Sequence, residues 1–138
     1  MKNNDLNKIL RKAGIGGLFG RGIELYDTDY AFLSLDGYMD MVDRSMEALS
    51  EKGLIPYDDY AESGADCDNW GLWIQSEVTQ LWAIKHTGQS SFPALSFGFA
   101  VMPGHALNIG VEQDRIYTWN YGQLIDFDVK TIFKVSLL

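Results

Sequence analysis

Ser63-Gly64-Ala65-Asp66-Cys67-Asp68-Asn69-Trp70-Gly71 opens the stretch that decides how this chain folds. From there to Gly88, apolar residues recur at Trp70, Ile74, Val78, Leu81 and Ile84, the three- and four-residue spacing of one helical stripe. Asp66 stands just ahead of the stripe, where its carboxylate can cap the orphan backbone N–H groups of a helix start. His86-Thr87-Gly88 supplies a cationic-capable residue and then the glycine at which a helix stops. Cys67, the single cysteine, therefore falls at or near the first helical position. It shares a face with Trp70 or Gly71 and with Ile74. A thiol placed there feels the positive end of the helix dipole, which favours the thiolate. The plain alternative is a small apolar residue filling the core.

Length and composition bound the answer. The 138 residues fit one domain, with 46% hydrophobic and 22% charged residues. One cysteine excludes an intramolecular disulfide framework. The net charge of −8, without a basic cluster, argues against a nucleic-acid partner. No apolar run approaches a membrane span, and Met1 to Lys12 is polar, so no membrane association and a cytoplasmic location are expected.

Ahead of the cysteine, Leu6, Ile9, Leu10 and Ala13 suit a short amphipathic helix. The glycine-rich run from Gly14 to Gly22 lacks the Lys-Ser/Thr of a phosphate loop, so it reads as a linker. Residues 1–22 are accordingly expected to be an arm, with the domain proper spanning 23–138. A second helix runs from Ser34 or Asp36 to Lys52, presenting Met39, Val42, Met46 and Leu49, with Gly53 past its end. Its methionines fill a core or line an adaptable groove.

After Gly88 the period changes. Segments 94–102, 105–111, 115–121 and 131–138 are rich in Val, Ile, Phe and Tyr and are separated by Pro103-Gly104, Glu112-Gln113-Asp114 and Gly122. They predict three to five antiparallel strands after the helices, an α+β domain. If 105–112 and 115–122 form a hairpin turning at Gln113-Asp114, His105 lies opposite Gly122 and Asn120 is its diagonal neighbour, with Cα atoms roughly 7–8 Å apart. The glycine would leave room for the ring. A cysteine nucleophile needs a base, and the base needs a group to hold its tautomer. Cys67, His105 and Asn120 supply that set, whereas His86 at a helix end is explained by capping.

Here the chain resembles a family. Asp66-Cys67-Asp68-Asn69-Trp70-Gly71 is similar to the Asp-Cys-Asp-x-x-Ala motif of small phage and bacterial papain-like proteins, relatives of the C-terminal cysteine-protease domain of a mushroom agglutinin. Tyr26-Asp27-x-x-Tyr30, Ile55-Pro56-Tyr57 and Gly104-His105-Ala106-Leu107-Asn108 agree with that pattern, over about Tyr26 to Asp126. Asn120 stands where that family usually has Glu, and Gly71 where it usually has Ala. Gly104-His105-Ala106 and Asn120-Tyr121 also resemble peptidoglycan-cleaving CHAP amidases, and the cysteine motif resembles NlpC/P60 enzymes, although Asp68 replaces their Ser.

The resemblance implies a papain-like cysteine hydrolase, a peptidase or amidase acting through an acyl-enzyme on a peptide or protein substrate. Cys67 would be the nucleophile, His105 the general base and Asn120 the group orienting it. The Cys67 backbone N–H would be one oxyanion donor. Tyr57, Tyr60 or Asn69 is the candidate second donor, and Trp70 a candidate substrate contact. No cofactor is required. The mushroom relative is calcium-dependent, so the acidic stretch Asp58, Asp59, Glu62, Asp66 and Asp68 is either a Ca²⁺ site, with Asp66 and Asp68 as ligands, or a solvated lead-in. The alternative from another class is a non-catalytic binding module that uses the same cleft to hold a partner. What separates the two is whether Cys67 lies open beside His105 or is sealed by Trp70 and Trp73.

Overall fold

Residues 1–17, 20–54 and 66–137 are described by the structure, a computed structural model. Leu6 and Leu10, one helical turn apart, turn the same face inward, and Asn3–Lys12 forms helix α1 around them. Two short strands follow, β1 (Ile23–Leu25) and β2 (Tyr30–Ala31). Helix α2 (Leu35–Glu51) starts at Ser34, whose hydroxyl accepts the Gly37 N–H at 3.3 Å, and ends before Gly53, which has a φ of 86°. Helix α3 (Cys67–Lys85) is capped by Asp66 and is followed by β3 (Ala94–Leu95), β4 (Phe97–Met102), β5 (His105–Glu112), β6 (Arg115–Asn120) and β7 (Gln123–Ile125). A 3-10 turn, Val129–Thr131, leads into β8 (Lys134–Leu137).

The chain is α+β, but its main sheet is mixed, not antiparallel as expected. Its order is β1-β8-β4-β5-β6-β7, with β1 parallel to β8 and every other pair antiparallel. Strands β2 and β3 make a separate parallel pair. The physical reason lies in the glycine run. Gly22 brings the chain so close to Phe133 that a Cβ would sit 1.8 Å from the Phe133 carbonyl oxygen. The Gly22 carbonyl accepts the Val135 N–H at 2.9 Å, which seeds the β1–β8 ladder.

The sheet is buried on both faces. Leu107, Ile109 and Val111 of β5 join Leu6, Leu10, Ile15 and Ile132 in one cluster. On the other side Tyr38, Val42, Trp70, Ile74, Val78, Phe97 and Trp119 form a second cluster, where α2 packs on α3 and α3 on β4 and β5. Each such side chain contributes about 1.5–3 kcal/mol by leaving water. The expected boundary at residue 22 does not divide this packing, because Leu6, Leu10 and Ile15 share a core with the sheet.

Two expected helix faces rotate. On α2 the buried residues are Tyr38, Met41, Val42, Ser45 and Leu49, while Met39 and Met46 are only partly buried. On α3 the inward stripe passes to Trp82, leaving Ile84 67% exposed. Trp82 is held there because its indole N–H donates to the Pro93 carbonyl at 2.9 Å. Among the described residues, no helix is long and apolar enough to cross a membrane.

Candidate functional site

Asp66 is extended and Cys67 is the first residue of α3, as the periodicity predicts. Asn69 closes the cap from inside the helix, its side-chain carbonyl accepting the Asp66 N–H at 3.2 Å. Opposite, Pro103-Gly104 turns β4 into β5, with Gly104 at a φ of 71°. Met102 therefore faces His105 across the hairpin. Cys67 and His105 line one open cleft of about 560 Å³, with Asp66, Asp68, Leu72, Phe99, Val101, Met102, Ala106 and Phe133 among its walls.

The hairpin of β5 and β6 has the expected register, pairing Asn108 with Trp119 and Glu112 with Arg115 around Gln113-Asp114. It brings His105 Nε2 to 2.9 Å from Asn120 Oδ1. A carbonyl oxygen only accepts, so Nε2 carries the proton and the neutral ring keeps its lone pair at Nδ1. The ladder stops at Trp119 because Tyr121 and Gly122 take φ values of 50° and 78° and start the turn into β7. Gly122 does not serve the histidine ring as expected. A Cβ there would lie 2.4 Å from Met46 Sδ, so the space over Gly122 is used by α2.

Electrostatics at the thiol run against the helix dipole. Burial pushes the Cys67 thiol above its usual range, and the charges of Asp68 and Asp66 push it further. The thiol lies 3.7 Å from Asp68 Oδ1, a contact that favours S–H over thiolate. The Ala106 backbone N–H acts in the opposite sense and is outweighed.

The other predicted residues separate. Trp70 is not at the cleft; it is 3% exposed and packs its ring against Trp73 and Tyr121, at 5.6 and 6.3 Å between centroids. Cys67 is half-buried, packed against the cluster that holds Trp70 and Tyr121, and still lines the cleft beside His105. Asn69 is engaged in the cap. Tyr57, Tyr60, Asp58, Asp59 and Glu62 fall in 55–65, outside the described residues. Asp66 and Asp68 flank Cys67, and among the described residues no three His, Cys, Asp or Glu side chains converge to hold a metal ion.

Asn108 supports the site in a way that periodicity does not reveal. It is buried, and its amide donates to the Gly71 carbonyl at 2.8 Å and the Gly98 carbonyl at 3.1 Å. That bolts α3 at Gly71, in its second turn, to β4. Gly71 lets the two surfaces meet, since a Cβ there would be 2.7 Å from the Phe99 ring. The walls Leu72, Phe99, Val101 and Phe133 were likewise unforeseen, because each looks like an ordinary strand or helix apolar residue in sequence.

No family model and no curated protein matches this chain. Its fold is shared by solved structures. The Polyporus squamosus lectin bound to the human-type influenza-binding epitope Neu5Acα2-6Galβ1-4GlcNAc matches with a TM-score of 0.70 and 16% identity over 99% of this chain. A structure described as a PSL1a–E64 complex matches with a TM-score of 0.66 and 15% identity over 98%. The chain spans 49% of each of these chains, about half their length. At such identity the likeness is one of fold. It corrects the expectation drawn from the motifs: the shared fold is that of a lectin structure and of a PSL1a complex, and it does not support the papain-like assignment with its cysteine peptidase or amidase activity. Asp66-Cys67-Asp68 and Gly104-His105 are short, and a helix cap and a hairpin turn already account for residues of those types.

Proposed function

We propose that this chain is a binding module that holds a ligand in the cleft between the start of α3 and the β4–β5 hairpin. The observation that carries the reading is the convergence of Cys67, His105 and the His105–Asn120 hydrogen bond at an open cleft on a lectin-like fold. Its volume is in the range of small-ligand sites, and its lining is mostly apolar with a few polar groups, as such sites are. In this reading His105 is the hydrogen-bonding group that meets the ligand through Nδ1, Asn120 fixes the ring, and Cys67 lines the cleft as a soft, protonated thiol.

The compounds held by the fold's neighbours, E64 and Neu5Acα2-6Galβ1-4GlcNAc, are the first ligands to test. The only cysteine lines the cleft, so a bound ligand should protect it from iodoacetamide, which forms an S–C bond and releases iodide. Slowed alkylation in an intact-mass time course, together with amide shifts at residues 66–69 and 104–106, supports the reading. Saturation with either compound, accompanied by shifts confined to a surface elsewhere and unchanged alkylation, would overturn it.

A further inference from the structure

We infer that the cleft selects ligands that carry a cationic group next to an apolar body, and turns anionic ones away. This rests on the cleft being the binding site. Much of its lining is apolar: Leu72 and Phe133 are 51% and 47% exposed, and Phe99 and Val101 line it with them. The same lining carries Asp66 and Asp68, which flank Cys67 in sequence. Among the described residues, no Lys or Arg lines the cleft. The nearest basic residue in sequence to its walls, Lys134, is held by Glu24 at 3.1 Å and belongs to the β1–β8 edge. Besides Cys67, His105 is the other titratable lining group among the described residues, and its Nε2 is committed to Asn120.

No basic side chain among the described lining residues pairs with the two carboxylates, of which Asp66 also caps the start of α3. They act beside low-dielectric walls, where a charge is felt more strongly than in open water. An ammonium or guanidinium group seated at Asp66 and Asp68 would lay its apolar body on Leu72, Phe99 and Phe133. A sialic acid carboxylate would meet repulsion instead, so a neutral sugar should be tolerated better than a sialylated one.

Two thiosulfonates of opposite charge measure the potential at Cys67. Each forms a disulfide with the thiolate and releases methanesulfinate. The expected result is that the trimethylammonioethyl reagent outpaces the sulfonatoethyl reagent by at least about tenfold more than it does with 2-mercaptoethanol. The excess should shrink in ~1 M salt, where the screening length falls to roughly 3 Å. Asp68→Asn should reduce it, and Asp68→Glu should restore it, so a folding defect is distinguished from a lost charge. A ratio equal to that of the small thiol overturns the inference. So does better protection of Cys67 by phenylpropionate than by phenethylamine, or by the sialylated trisaccharide than by Galβ1-4GlcNAc. Equal protection by both charges would sink the selectivity while leaving the binding site in place. A charge-dependent reagent ratio without protection by the two neighbour ligands would count against those ligands alone.

Discussion

Cys67 poses the sharpest question at the scale of one residue, because two local fields oppose each other. The helix dipole lowers a thiol's pKa, but burial and the carboxylates of Asp68 and Asp66 raise it, and raising wins. A raised pKa means less thiolate at neutral pH. Iodoacetamide should accordingly modify Cys67 more slowly than a free thiol at pH 7, with the rate still climbing where the free thiol has levelled off. Asp68→Asn removes two of the raising causes and should speed alkylation several-fold at pH 7. A wild-type rate at or above that of a free thiol would mean that the dipole dominates after all. The neighbouring ring gives a second expectation. Long-range ¹H–¹⁵N spectra of the neutral form should show His105 protonated at Nε2, and Asn120→Leu should mix the tautomers while leaving the dispersion of the rest of the spectrum intact. An unchanged tautomer in that variant would remove Asn120 as the group that sets it.

Elements explain why parts of this site were legible in sequence. Helix α3 announced its start through Asp66 and its stripe through Trp70, Ile74 and Val78, and the β5–β6 register followed from a two-residue turn at Gln113-Asp114. Periodicity works there because each element is long enough to repeat. Strands β1, β2 and β7 hold three, two and three residues, too few to register a period, and they went unseen. Contact between elements was equally hidden. Gly71 looked like a departure from a motif, yet it is where Phe99 of β4 reaches the α3 backbone. Gly71→Ala should cost about 1–3 kcal/mol by overpacking, read as a lower urea midpoint. Phe99→Leu in the same chain should recover part of the loss, although Ala is the better helix former. If Gly71→Ala stabilised the protein by itself, helix propensity would outweigh the contact and the interface would have to be looser than described.

At the scale of the whole molecule, the open issue is where the cooperative unit begins. The glycine run suggested a hinge, since glycines are permissive and the run has no strand or helix pattern. Its residues instead make defined bonds: the Gly16 N–H donates to Ile132 and the Gly22 N–H to Gly16, both at 3.0 Å. Sequence could not foretell this, because the partner strand lies more than a hundred residues away and pairs in parallel. Leu10 is fully buried among Ile15, Ile109 and Ile132's cluster, so α1 belongs to the same core as the sheet that carries His105. Leu10→Ala should destabilise the protein by about 2–5 kcal/mol, as a buried leucine does when it is truncated. The loss should appear as one transition, monitored alike by tryptophan fluorescence, which reports Trp70 and Trp119 on the far side of the sheet, and by far-UV circular dichroism. A solvated arm predicts a different outcome: a change within about 0.5 kcal/mol, with the tryptophan transition unmoved. The size of the shift in the tryptophan signal decides between them, because those rings respond to Leu10 only if both layers unfold together.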